Sequence, residues 1–214
     1  MRVRFDGELE QLGVDLTAMC RLAGDAMEQA TGALVRADLA MAEQVIAGDS
    51  KLDALRALCE DRTYALLALQ APVARDLRLI VTGLQAAEKI DRMGGLACHV
   101  AEIVQRRHPR SAIPPELCGT FAEMGRLAVQ AARAIEHTIA NPLESQLPER
   151  ERADDRTDEL HRELLTTISR KDSSYRVQTG VDVALLSRFF ERFADQAVAV
   201  TRRMDFVVTG TTPR

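Results

Sequence analysis

The chain repeats itself at a fixed spacing. Met19-x-Arg21-Leu22-Ala23 returns as Met124-x-Arg126-Leu127-Ala128, and Asp49-x-x-x-Asp53 returns as Asp154-x-x-x-Asp158, both at an offset of 105 residues. A further echo, at an offset of 100, relates Asp91-Arg92-Met93-Gly94-Gly95 to Glu191-Arg192-Phe193-Ala194-Asp195. An internal repeat of this kind restricts the chain to a duplicated unit, and it places acidic pairs at matching points of the two copies.

Periodicity gives the unit its secondary structure. Phe5, Leu9, Leu12, Leu16, Met19, Ala23, Ala26 and Ala30 step alternately by four and three, which is one face of a long helix. Shifting by 105 gives Leu117, Phe121, Met124, Ala128, Ala131 and Ile135 in the same register. Val183, Leu186, Phe190, Phe193, Ala197, Val200, Met204 and Val207 form another stripe, whose counterpart lies in Ile90, Met93, Ala97, Val100 and Val104. No run alternates with the period of a strand. Such seams suit helices packed at small crossing angles.

Breakers divide the pattern. Pro72 suits the first turn of a helix running to about Arg107, because its missing N–H is not needed there. Pro109, Pro114 and Pro115 mark the joint between the copies; Pro142 and Pro148 bracket one loop, and residues 169–174 form another. The chain is therefore expected to be all-α, with two tandem three-helix bundles over residues 1–109 and 110–214.

Residues four apart share a helix face, so Asp49/Asp53, Asp154/Asp158 and Glu191/Asp195 each set two carboxylates side by side. Like charges at that spacing cost a helix roughly 0.2–0.5 kcal/mol per pair. A cation favoured by oxygen ligands, such as iron, zinc, manganese or magnesium, would offset the cost. The second copy offers Asp154, Asp158, Glu191 and Asp195, with His161 on the same face as a possible nitrogen ligand. The first offers Asp49, Asp53 and Asp91, because Gly95 stands where Asp195 stands in the second. The competing reading is an acidic face neutralised by water and by Arg56, Arg156 and Arg192; the Gly48-Asp49 step also permits Asp49 to be a helix cap. Counting 100° per residue puts Glu191 and Asp195 roughly 120–160° from the apolar stripe of their helix, facing outward or towards a flank.

Catalytic patterns are missing. The sequence has no GxxxxGK[ST] phosphate loop, no GxGxxG turn and no GxSxG elbow, and its histidines are scattered. Cys20, Cys59, Cys98 and Cys118 lie far apart inside apolar patterns and read as reduced core residues. A net charge of −4, with both signs interspersed, argues against nucleic acid or an anionic membrane as partner. No apolar run approaches the roughly 18 residues that span a bilayer, and the N-terminus lacks a signal peptide's apolar core, so the chain reads as cytoplasmic.

Taken in order, these pieces resemble the PhoU family of phosphate-uptake regulators, closest to its actinobacterial members. The resemblance is carried by Gln70-Ala71-Pro72-Val73-Ala74-Arg75-Asp76-Leu77-Arg78, by Phe190-Glu191-Arg192-Phe193-Ala194-Asp195, by the two Asp-x-x-x-Asp pairs and by the ending Met204-Asp205-Phe206-Val207-Val208. It implies a duplicated three-helix bundle with multinuclear metal sites on the bundle surfaces. It also implies a non-enzymatic role, coupling the phosphate ABC transporter, through its ATPase PstB, to the sensor histidine kinase PhoR and repressing the starvation response when phosphate is plentiful. Gly95, and Gln196 where the family often has His, depart from the pattern at the metal positions. A partner surface is expected around Arg75, Asp76 and Arg78, where charges meet an apolar stretch. The alternative function is a metal-storage or metal-dependent hydrolase bundle built on the acidic pairs. The residues leave monomer and homodimer both open.

Overall fold

The computed structural model describes residues 2–70, 72, 74–141, 147–170 and 175–210. Among these the regular structure is six long helices and one short 3-10 turn, with no strand: α1 (Arg2–Arg36), α2 (Leu39–Gln70), α3 (Ala74–Arg107), the turn Pro115–Leu117, α4 (Cys118–Ala140), α5 (Leu147–Ile168) and α6 (Val177–Thr209). The fold is all-α, as the periodicity requires.

The four apolar stripes become the seams. Phe5, Leu12, Leu16, Met19, Ala23 and Ala30 of α1 are buried, and so are Phe121, Met124, Ala128, Ala131 and Ile135 of α4, with Leu117 just ahead of it. The stripes of α3 and α6 are buried throughout their lengths, with the rings of Phe121 and Phe190 packed at a tilt of 53° and 5.9 Å between centres. α1, α2 and α3 pack on one another in all three pairings; α5 and α4 both pack on α6, and α4 meets α5 much less. The two triplets join through α1 against α4 and α3 against α6, and one apolar core runs through both.

Each joint has a local cause. Ala37, in the left-handed region at φ 52°, ends α1, and the Asp38 carboxylate accepts the Met41 N–H at 3.0 Å to cap α2. The segment from His108 to Pro114 is anchored by Ala112 and Ile113, both buried, and by Ser111, whose hydroxyl donates to the Ile113 carbonyl at 2.8 Å. Gly210, at φ 71°, closes α6 by donating its N–H to the Phe206 carbonyl at 2.9 Å. Pro72 lies ahead of α3 and not in its first turn, since the helix opens at Ala74. Ala71 and Val73 of the same motif lie outside the described residues. So do 142–146 and 171–174, which carry most of the two expected loops; Pro148 falls in the first turn of α5.

The seams between the triplets run antiparallel. Along α1/α4, Arg21 pairs with Glu136 at 2.6 Å and Arg133 with Asp25 at 2.6 Å. Gly24 there lies so close that a Cβ would come within 3.2 Å of Ala132 Cβ. Along α3/α6, Arg107 grips buried Asp182 through both oxygens at 2.6 and 2.9 Å, and Arg203 donates to the Gln85 side chain at 3.0 Å.

Candidate functional site: the two acidic helix faces

α2 and α5 carry polar residues at the positions their neighbours fill with apolar ones. The inward series of α2 steps by three and four through Val45, Asp49, Leu52, Arg56, Cys59, Thr63 and Leu66. That of α5, shifted by 105, passes through Asp154, Thr157, His161, Leu164 and Ile168. Val45, Leu52, Cys59, Thr63, Leu66, Thr157 and Leu164 are all buried, which fixes these faces as the packed ones. Thr63 and Thr157 tolerate burial because each hydroxyl donates to the carbonyl four residues back, at 2.7 and 3.1 Å. Asp49 therefore lies in the middle of α2, and the cap read into the Gly48-Asp49 step is not there: the helix runs unbroken from Leu39, with the capping role taken by Asp38.

In the second triplet α5 and α6 bring Asp154, Asp158, Glu191 and Asp195 into one electrostatic neighbourhood. Glu191, only 9% exposed, is buried on the flank of α6. Of the two placements drawn from its angle to the stripe, outward or towards a flank, Glu191 takes the flank, where α5 packs on α6, and Asp195, one turn on, is exposed. One Glu191 oxygen pairs with Arg188, while Oε2 is buried with no partner, as is Oδ1 of Asp154. Burial, reinforced by Asp195, Asp158, Asp155 and Glu191, pushes the Asp154 carboxyl up to about 6. Glu191 and Asp195 are also raised, again chiefly by burial. His161 Nδ1 lies 2.8 Å from the buried Ser187 hydroxyl, and its basicity is lowered by burial and by Arg188, which favours the neutral ring.

Asp49, Asp53 and Asp91 gather likewise in the first triplet, with a difference. Arg56 Nε lies 3.6 Å from Asp91 Oδ2 and the same guanidinium pairs with Glu60. Burial raises the Asp91 carboxyl, and Arg56 opposes the rise more than Asp53 or Asp49 adds to it. None of these three aspartates has a buried oxygen lacking a partner. Cys98 lies beside Asp49, its thiol pushed up to about 12 by burial and then by that carboxylate.

Among the described residues no three carboxylate, imidazole or thiol groups stand close enough together to hold a metal ion. In the second cluster Asp154 Oδ1 and Glu191 Oε2 are each buried without a donor, a charge imbalance that the protein's own side chains leave unanswered. The expected partner residues lie elsewhere, in the first turns of α3. Arg75 is exposed, Asp76 and Arg78 are half-buried, and Arg78 Nε is buried without an acceptor. Around them Leu77 is 41% and Val81 41% exposed, and Tyr64 and Leu67 near the end of α2 are exposed at the same tip of the hairpin. The sequence reading missed Arg107/Asp182 and Ser187, and of the apolar tip it had the stretch beside Arg75, Asp76 and Arg78 but not Tyr64, Leu67 or Val81. Val81 had a signal, in its i, i+4 spacing from Leu77.

Comparison with known proteins agrees with the fold. The PhoU domain pattern matches residues 16–104 and again 121–204. The chain is 48% identical over 213 residues, covering all of both proteins, to the phosphate-specific transport system accessory protein PhoU homolog 2 of Mycobacterium tuberculosis. It is 46% identical to PhoU homolog 1 of Mycobacterium leprae, covering all of this chain and 96% of that one. Among solved structures, PhoU from Pseudomonas aeruginosa superposes with a TM-score of 0.84 at 23% identity, covering 97% of this chain and 100% of that chain. The phosphate transport system regulatory protein PhoU from Streptococcus pneumoniae does so with a TM-score of 0.84 at 23% identity, covering 97% of this chain and 98% of that one.

Proposed function

The chain belongs to the PhoU family, and on that premise we propose that it regulates phosphate-specific transport by protein contact, without catalysis. In this reading it works in the cytoplasm, between the PstB ATPase of the phosphate transporter and a PhoR-type sensor histidine kinase. When phosphate is plentiful it restrains uptake and holds the kinase in its repressing state. The observation that carries the reading is full-length identity of 48% to a protein named as an accessory of that transport system.

The geometry supplies a means. A partner that exists in two conformations is shifted by a protein binding one of them better, and no bond need be made or broken. The tip of α2 and α3 combines exposed Leu67, Leu77 and Val81 with Arg75, Asp76 and Arg78, the apolar-and-charged mixture that interfaces use. The test is capture of PstB and of a PhoR cytoplasmic domain by the full chain at high and low phosphate. Leu77→Glu with Arg78→Glu is expected to abolish capture while leaving the helical content unchanged. Capture of neither protein by the wild-type chain contradicts the reading.

The orphaned oxygens of Asp154 and Glu191 favour a second component, a metal ion between α5 and α6. Asp154, Asp158, Glu191 and Asp195 would hold it with oxygen ligands, and iron, manganese, zinc or magnesium are the ions such donors suit. When bound it would supply positive charge to an otherwise uncompensated cluster and tie the two helices together. Metal storage or hydrolysis remains the rival function, distinguished by whether Asp154→Asn with Glu191→Gln abolishes regulation or leaves it intact.

A further inference from the structure

Because the fold is duplicated, one place in it can be compared with its own copy. Where α1 and α3 meet the ends of α4 and α6, a cavity of about 590 Å³ opens among Leu9, Leu12, Gly13, Thr82, Gly83 and Met204. Val14, 55% exposed, lies on its rim. That volume is in the range of ligand sites. Leu16 also lines it. Shifted by 105 or 100, Gly13, Leu16 and Gly83 become Cys118, Phe121 and Val183, and Thr82 becomes Asp182. The second copy therefore fills the same place from its walls. Phe121 and Val183 are fully buried there, and Arg107 grips buried Asp182.

The joint between the copies completes the filling. It runs from the last turn of α3 to the start of α4, from Val104, the counterpart of Met204, to Pro114, the counterpart of Leu9. It therefore passes over the second copy's site, and it buries Ala112 and Ile113 in the core on the way. Tyr175, just ahead of α6, ties it down by donating its hydroxyl to Glu116 at 2.8 Å. Two copies in one chain have one such joint between them, and among the described residues nothing takes its place over the first copy's site. Thr82 shows what is lacking there. It lines the cavity and is 3% exposed, yet its hydroxyl has no hydrogen-bond partner among the described residues. The Thr17 hydroxyl of the same cavity, by contrast, donates to the Gly13 carbonyl at 2.8 Å. A polar group so enclosed costs stability until something polar meets it. Nor is the backbone in the way of a fuller wall, because a Cβ at Gly13 would meet nothing within 4 Å.

We propose that the open site of the first copy receives a short, extended, apolar peptide segment of a partner protein, seated as Ala112 and Ile113 are seated in the second. Such a segment answers each feature of the site. Its aliphatic side chain fills the space between Leu9, Leu12 and Met204, and its backbone amide meets the Thr82 hydroxyl. It brings no charge to be buried, since Thr82 stands where Asp182 requires Arg107. The cavity does not include Leu77 or Arg78, so the site adds a second contact to the adaptor reading without resting on that tip.

The probe is a fluorescein-labelled peptide with the sequence of residues 108–117, the chain's own joint, titrated with the full-length chain and read by anisotropy. Thermal melting checks that each variant folds. The wild type is expected to bind the peptide, and not to bind one carrying Ile113→Asp. Gly13→Phe, which plugs the cavity where a Cβ has free space, is expected to weaken binding by about tenfold or more while melting no lower than the wild type. Gly13→Leu repeats the test with a smaller plug. Thr82→Val is expected to weaken binding roughly two- to tenfold, the worth of one hydrogen bond, without lowering the melting temperature. No change in anisotropy at millimolar chain overturns the proposal. So does binding that both Gly13 variants leave intact, which would place the peptide elsewhere. Laurate that raises the melting temperature of the wild type but not of Gly13→Phe, with no peptide bound, overturns it too, by making the cavity a small-molecule site. None of these results bears on capture of the transport and kinase partners through Leu77 and Arg78.

Discussion

Glu191 and Asp154 each keep one buried carboxylate oxygen without a donor, and their behaviour should be measurable in chelated protein. The folded Asp154 carboxyl titrates near 6 against an ordinary value of 3.8, so the native state binds the extra proton between those limits. Native proton uptake makes stability fall as pH rises through that window and level off above it. A shift of this size corresponds to about 3 kcal/mol, which partial exposure reduces to about 1–2 kcal/mol. Asp154→Asn is therefore expected to raise the denaturation midpoint of metal-free protein at pH 7.5 and to have little effect at pH 4. Equal shifts at both pH values would point to packing instead of charge. The sequence disclosed these acids as pairs but not their burial. An angle around one helix says which way a side chain points, and it cannot say that α5 will lie there. Ser187 was illegible for the same reason, since its meaning depends on His161 of another helix.

At the scale of helices, four of the six could be read residue by residue, because their inward positions are apolar in unbroken sequence. α2 and α5 could not, because Asp49, Arg56, Thr63, Asp154, Thr157 and His161 interrupt the same three-and-four stepping with polar side chains. The end of α1 was equally hidden: Ala37 takes a left-handed conformation that glycine usually announces. Close approach of α1 and α4 gives a second prediction. A Cβ at Gly125 would strike the Thr31 side chain, whose hydroxyl is already tied to the Met27 carbonyl at 2.7 Å. Gly125→Ala should therefore cost about 1–3 kcal/mol in chemical denaturation, as overpacking does, whereas Gly119→Ala, with nothing within 4 Å, should cost no stability. Across α3 and α6, Arg107→Ala should lower the melting temperature by leaving Asp182 charged and buried. Adding Asp182→Asn to it should recover part of the loss, and a double variant no better than the single would deny the pair its role.

For the molecule as a whole, the duplication was the legible part, and with it the all-helical class. How the copies join was not, since a repeat specifies two like units without saying which faces meet. The α1/α4 seam is closed by small residues and crossed ion pairs, and the α3/α6 seam by the tilted ring pair of His99 and Phe189, by Arg107 and by the side-chain amides of Gln85 and Gln196. The result is one continuous core with helix faces left over on the outside. A body of that kind is suited to holding partners, and the central claim is that this one holds the phosphate-starvation response in check. The direct measurement is a phosphate-starvation reporter in cells of the source bacterium deleted for every PhoU-family gene, then complemented with this chain alone. The account predicts that the reporter is on at high phosphate in the deletion strain and returns to the repressed level on complementation, with Leu77→Glu/Arg78→Glu failing to restore it. A reporter that stays repressed in the deletion strain, or stays on after wild-type complementation at normal protein levels, would contradict it.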